Sequence, residues 1–191
     1  MKKNIYSIIL CSVSVFSMAQ VAIEKNTVEG ASTLLDFYYA PANTNGIIIS
    51  AVDNKDNALG TTTSANNGTF LFDKSDNKLK MYEAGSWRTI SETGEASAIV
   101  ANTSAEAADE QGTIIGSDTS EAKGVLVLES SDKALYLPRV FKPAINVKSP
   151  YPGMMCYDYY SHSIAIFDGK VWNYLNLGKY YSQYTDPVTY P

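Results

Sequence analysis

Histidine is almost missing from this chain: His162 stands alone. One imidazole assembles neither a zinc cluster nor an ordinary nucleophile–base–acid triad. Cysteine is scarce, with only Cys11 and Cys156. No excess of positive charge exists; 15 Lys and Arg face 20 Asp and Glu, a formal net charge of −5. That balance argues against nucleic acid, whose phosphates need a basic face, and against docking to an anionic membrane surface. Long apolar runs are lacking too. The longest, Ile5 to Met18, covers 14 residues, where a membrane span needs roughly 20. No Gly-rich phosphate loop follows a strand and opens a helix. The expectation is a chain with no cofactor, no metal and no catalytic residues.

What the N-terminus does contain is an export signal. Lys2 and Lys3 precede the apolar run, and Ser17-Met18-Ala19 puts small residues where a signal peptidase needs them. Cleavage is expected after Ala19, exposing Gln20. A membrane anchor fits less well because the run is short, and lipidation at Cys11 fits less well because that residue lies inside it. Losing Lys2 and Lys3 takes the formal charge from −5 to −7. Cys156 is then left without an internal partner and is expected to be a small buried hydrophobe.

A repeat organises the rest. GTFLFDKSDNKLKMYEAGSWRTI (Gly68 to Ile90) aligns without a gap on GMMCYDYYSHSIAIFDGKVWNYL (Gly153 to Leu175), at an offset of 85. Gly68 meets Gly153, Asp73 meets Asp158 and Trp87 meets Trp172. Leu79/Met81 and Ile164/Ile166 alternate with a period of two, which marks half-buried strands. Each copy reads as strand, polar turn, strand, tight turn and Trp strand, a three-strand meander. Asp168-Gly169 is a hairpin signal. Asp73 and Asp158 are placed to accept backbone N–H bonds at the turn, and the two tryptophans to anchor the cores. Upstream, NGIIISAV (Asn45 to Val52) resembles KALYLPRV (Lys133 to Val140) at an offset of 88, preceded by STLLDF and GVLVLE. Pro138 marks a strand end or edge.

The predicted fold is therefore mainly β: two related modules of short antiparallel strands, each ending in a three-strand meander. The division is signal peptide 1–19, first module 20–91, linker 92–122, second module 123–177 and Tyr-rich tail 178–191. The linker carries seven acids and no Lys or Arg, a solvated composition. Within it Ala96 to Glu110 suits a weak helix and Thr113 to Ile115 a short strand.

Other chemistries fit poorly. Asp73, Asp76, Asp158 and Asp168 sit at turns where a structural role suffices, so a glycosidase pair is not indicated. Asp53 to Asn57 offers oxygens but lacks the spacing of a Ca²⁺ loop. Tyrosine stands out instead: nine of 14 lie from Tyr151 onward. Most suit cross-strand pairing. The pair Tyr159-Tyr160 at a turn tip, with Tyr180 and Tyr181 of the tail, forms a candidate recognition surface. The competing reading has Tyr159 and Tyr160 folding back onto Tyr180, Tyr181 and Tyr184 as a cluster without a ligand.

GVLVLESSDKALYLPRV followed by PGMMCYDYYSHSIAIFDGKVWNYL resembles a β-rich module common in exported proteins of Bacteroidota, and VAIEKNTVEGASTLLDF is similar to the strand pair that opens such chains. The resemblance implies a surface or tail-fibre-like structural protein, often repeated, with no assigned chemistry. The chain departs from the pattern at Tyr159-Tyr160-Ser161-His162, where Thr and Asn are usual. The first copy has Ser50-Ala51 in place of Pro138-Arg139.

Together these observations lead to an exported, non-catalytic structural or adhesive component of the cell surface, the extracellular space or the periplasm, within a fibre-like assembly. Its partner would be a protein, a glycan or another copy of itself. The alternative is a carbohydrate-binding module that uses exposed tyrosines. Intact-mass analysis of protein from its native host is expected to show a start at Gln20 or its pyroglutamate. A full-length or Cys11-lipidated species would contradict the export signal.

Overall fold

The computed structural model describes residues 20–59, 64–100 and 112–175. The proposed signal peptide, Tyr180, Tyr181 and the tail 178–191 lie outside the described residues.

The fold is mainly β, as the alternation predicts. Each meander is antiparallel. The first comprises β5 (Phe70–Asp73), β6 (Lys78–Glu83) and β7 (Ser86–Thr89). The second comprises β12 (Met154–Asp158), β13 (Ser163–Phe167) and β14 (Trp172–Leu175). Their registers coincide at the offset of 85. Phe70 pairs with Met81 and Met155 with Ile166; Tyr82 pairs with Trp87 and Phe167 with Trp172. Left-handed backbone recurs at matched positions too: Gly68 and Gly153, Asn77 and His162, Ala84 and Gly169. Asn and His tolerate that region better than most side chains, so the polar turns suit their geometry. Gly68 and Gly153 have φ of 89° and 87°, a conformation that Cβ disfavours.

Parallel pairing was not legible in the alternation. β4 (Ala51–Val52) runs parallel to β5, and β11 (Arg139–Val140) runs parallel to β12 as the sheet edge. Pro138 precedes that edge strand, and its carbonyl accepts the Tyr157 N–H at 2.8 Å. A second sheet is all parallel: β2 (Thr33–Phe37) lies between β1 (Val21–Ile23) and β10 (Ala134–Leu135). β8 (Thr113–Ile115) and β9 (Leu126–Leu128) form a parallel two-stranded ribbon.

Strands are exchanged between the halves. β3 (Ile47–Ile48), from the first half, pairs with β12. β10, from the second, pairs with β2. The main core is correspondingly joint. Phe72 and Leu79 of the first meander meet Met155 and Ile166 of the second, with Ile47, Ile49 and Leu137 packed against them. Period-two geometry puts Phe70 and Phe72 on one face of the first meander and the equivalent Met155 and Tyr157 on the same face of the second. Burial of each such large side chain contributes about 1.5–3 kcal/mol. The two modules thus share one core.

The outer faces differ. The second carries Cys156 and Ala165 under Val140, Val147, Trp172 and Tyr174, with the one-turn α1 (Pro143–Asn146) at its margin. Burial, aided by the Asp158 charge, pushes the Cys156 thiol up to about 12, so it is an inert hydrophobe there. The first carries Leu71 and the buried Lys80, whose ammonium donates to Asp76 and, at 3.2 Å, to Thr89. The tryptophans are half-buried rather than enclosed. Each covers its cross-strand aromatic partner, Tyr82 at 5.2 Å and Phe167 at 5.5 Å between centroids.

The central strand β2 buries Asp36, which accepts from Lys25 Nζ at 2.6 Å and the Glu29 N–H at 2.8 Å. Burial pushes that carboxyl up, but the two donors outweigh it and hold it below the usual carboxylate range.

In the acidic segment, 96–100 is a turn rather than the helix expected from Ala96; 101–111 lie outside the described residues. Gly94 and Glu95 dock on the two meanders: the Gly94 N–H donates to Asn77 O at 2.7 Å and the Glu95 N–H to Asp168 O at 2.9 Å. A Cβ on Gly169 would lie 1.8 Å from the Glu95 carbonyl oxygen, whereas one on Gly85 meets nothing within 4 Å. Both glycines have positive φ, 94° and 83°. Gly85→Ala is expected to cost about 1–2 kcal/mol, and Gly169→Ala at least about 1 kcal/mol more from overpacking. Urea unfolding of both variants checks this. Equal losses would mean that the segment at Glu95 is not docked on the turn.

Candidate functional site

Three buried carboxylates hold the turns. Asp73 Oδ1 accepts the Ser75 N–H at 3.0 Å and hydroxyl at 2.7 Å. Asp158 Oδ1 accepts the N–H groups of Tyr160 at 2.9 Å and Lys142 at 3.1 Å, and its Oδ2 accepts the Ser161 hydroxyl at 2.7 Å. Asp168 accepts the N–H groups of Lys170 and Val171, both at 2.8 Å, and the Asn173 amide at 2.7 Å. These are the Asx-type roles the turn positions call for, and charge-assisted bonds of this kind are strong. Side chains of the Asp53 to Asn57 loop make local contacts. Asn54 caps a 3₁₀ turn by accepting the Asp56 N–H at 2.9 Å, while Asp53 pairs with Lys74 and Asp56 with Lys55.

His162 is an exposed turn residue with φ 53°, and its Nδ1 lies 3.4 Å from the Tyr157 hydroxyl.

Asp158 fixes the turn that presents Tyr159 and Tyr160, and around it an aromatic and cationic face assembles. Tyr159 meets Tyr39 edge-on at 5.9 Å and Phe141 at 5.2 Å; Tyr160 meets Phe141 edge-on at 5.6 Å. The Arg139 guanidinium lies over the Tyr39 ring at 4.4 Å and near that of Tyr159 at 5.6 Å. Lys142 Nζ lies over the Tyr160 ring at 3.9 Å. Cation–π contacts of this kind contribute about 0.5–1 kcal/mol at exposed sites. The Tyr159 phenol is raised above its ordinary range, chiefly by its hydrogen bond to Tyr39 and by burial, with Arg139 opposing. Beside Phe141 opens a shallow cleft of about 300 Å³, lined by residues 41–44 and Asn146.

Of the predicted recognition residues, Tyr159 and Tyr160 therefore come together in one cluster, with Tyr160 exposed and Tyr159 half-buried. Tyr180 and Tyr181 lie outside the described residues. The partners that sequence reasoning missed are Tyr39, Arg139, Phe141 and Lys142. The offset of 88 held the signal: extended two residues past Val140, it sets Phe141 and Lys142 against Asp53 and Asn54.

Residues 114–186 match the model of a family described as a phage tail like trimerisation region. This face lies mostly within that stretch. No curated protein and no solved structure matches the chain.

Replacing Asp158 by Asn leaves Oδ1 its acceptor role but sets an amide against the Ser161 hydroxyl. The expected cost is about 1–3 kcal/mol. Asp73→Asn keeps both of its bonds on one oxygen and is expected to cost less. Thermal unfolding of the pair gives the comparison, and a reversed order would count against this account of the turns.

Proposed function

We propose that this chain is an exported, non-catalytic structural or adhesive component of the cell surface that works as a homotrimer in a fibre-like assembly. The observation that carries the reading is the match of residues 114–186 to the trimerisation model. The β8–β9 ribbon supports it. Parallel sheets normally have both faces covered, and two strands are marginal alone. Yet Val125 is 69% and Leu126 48% exposed. A second copy laid on that ribbon would cover those side chains. Several short strands throughout the fold leave further apolar groups at the surface, including Ile48 and Val21.

The non-catalytic part rests on the same side chains that hold the turns. Asp73, Asp158 and Asp168 each hold donors of their own turn, and Asp76 pairs with Lys80, while a general acid or base needs a proton position open to substrate. The export part rests on Lys2, Lys3, the apolar run and the Ser17-Met18-Ala19 site.

Light scattering on the purified chain is expected to give three times the monomer mass at micromolar concentration. Protease applied to intact host cells is expected to degrade the protein while the inner-membrane barrier holds. A monomer would remove the assembly reading, and full protection in intact cells the surface reading.

A further inference from the structure

We propose that the face built from Tyr39, Arg139, Phe141, Lys142 and Tyr160 binds an acidic polysaccharide, taking sugar carboxylates on its cations and sugar rings on its aromatic planes. The inference deepens the adhesive half of the function above and does not depend on the trimer.

The internal repeat supplies the control. Both copies hold their edge strand with the same two bonds: Phe72 N–H to Ser50 O and Lys74 N–H to Val52 O in one, Tyr157 N–H to Pro138 O and Tyr159 N–H to Val140 O in the other. The backbone is thus the same, but the side chains are not. Where the first copy has Ala51, Asp53, Asn54, Lys74 and Ser75, the second has Arg139, Phe141, Lys142, Tyr159 and Tyr160. In the first, Lys74 and Asp53 make an ion pair at 2.5 Å. In the second, the matching pair is Tyr159 and Phe141, ring against ring at 5.2 Å. The turn folds with ordinary solvated residues, so its geometry does not require the aromatic set.

Charge points to the ligand. The chain is acidic, and six of its cations, Lys25, Lys55, Lys74, Lys80, Arg88 and Lys133, pair with carboxylates. Lys78, Lys123, Arg139, Lys142, Lys148 and Lys170 make no such pair among the described residues, and of these Arg139 and Lys142 lie on aromatic faces. A guanidinium carries five N–H donors in its own plane. One of those groups donates to the Tyr136 hydroxyl at 3.4 Å, and the rest of the fork suits a carboxylate. Asp158, the carboxylate beneath the turn, is already taken up by three donors. Tyr160 and Phe141 are 45% and 38% exposed, rigid surfaces that need little ordering on binding. Cations laid against partly exposed rings fit a sugar that carries a carboxylate better than a neutral one.

The test uses the full chain with polygalacturonate, neutral dextran and polyglutamate, followed by calorimetry or affinity electrophoresis at low salt. Polygalacturonate is expected to bind, dextran and polyglutamate at least tenfold more weakly. Arg139→Ala and Tyr160→Ser install the residues that the first copy carries at the same backbone positions, so both are expected to fold. Each should lower polygalacturonate affinity at least tenfold with melting temperature and native mass unchanged. Arg88→Gln, in the first copy, should leave it unchanged. No binding to polygalacturonate overturns the proposal, as does equal binding to polyglutamate, which would be charge alone. Variants that keep their affinity also overturn it. If the variants change native mass instead, the face is a contact between copies and the proposal fails. A trimer that binds no polysaccharide would leave the assembly reading intact, and a monomer that binds would do the reverse.

Discussion

Four apolar side chains carry the structure: Phe72 and Leu79 from one meander against Met155 and Ile166 from the other. Neither meander has a second sheet of its own to cover that face, and three short strands bury too little surface to stand alone. Each therefore serves as the other's cover. The exchange of β3 and β10 follows the same logic, since a strand inserted in the opposite half ties together elements far apart in sequence. The docking of Gly94 and Glu95 against Asn77 and Asp168 adds a third tie.

Around that core the repeat is a backbone repeat before it is a side-chain repeat. What is held constant is the set of positions that fix chain direction. A Gly begins each copy, a buried Asp gathers the N–H groups of the following turn, and a left-handed residue ends it. The tight turns vary within this frame. In the first copy both Ala84 and Gly85 have positive φ, the sign pattern of a type I′ turn; in the second only Gly169 does, the pattern of type II′. Both reverse the chain over two residues and keep the twist of the strands. Once the backbone is secured by these few residues, the exposed turn side chains are free to differ. The first copy fills them with ion pairs and amides and the second with edge-on and tilted rings and with cations.

The functional reading follows from that division of labour. Asp73, Asp158 and Asp168 hold turns, and the most distinctive surface is an aromatic face on which Arg139 and Lys142 lie. The side chains proposed for recognition sit on a turn fixed from below by Asp158. Most of that face lies within residues 114–186, the stretch similar to a phage tail like trimerisation region. Three copies would present the face three times, which raises the strength of weak contacts to a polymer.

Sequence alone was enough for the mainly β class, the two meanders, their register, the Asx roles of Asp73 and Asp158, the buried thiol of Cys156 and the pairing of Tyr159 with Tyr160 at a turn. These are local properties, carried by a period of two and by residues suited to particular turns. The tertiary structure decided the rest. Which strands pair in parallel and which cross between halves depends on contacts across tens of residues, and a short apolar run fits either arrangement. The tryptophans read as core anchors but lie half-buried over Tyr82 and Phe167, because the joint core is already filled from the opposite faces. Tyr39 joins Arg139 although 100 positions separate them, a proximity created only when the two halves close on one another. Long-range closure is a property of the packed chain, and no local pattern of residues encodes it.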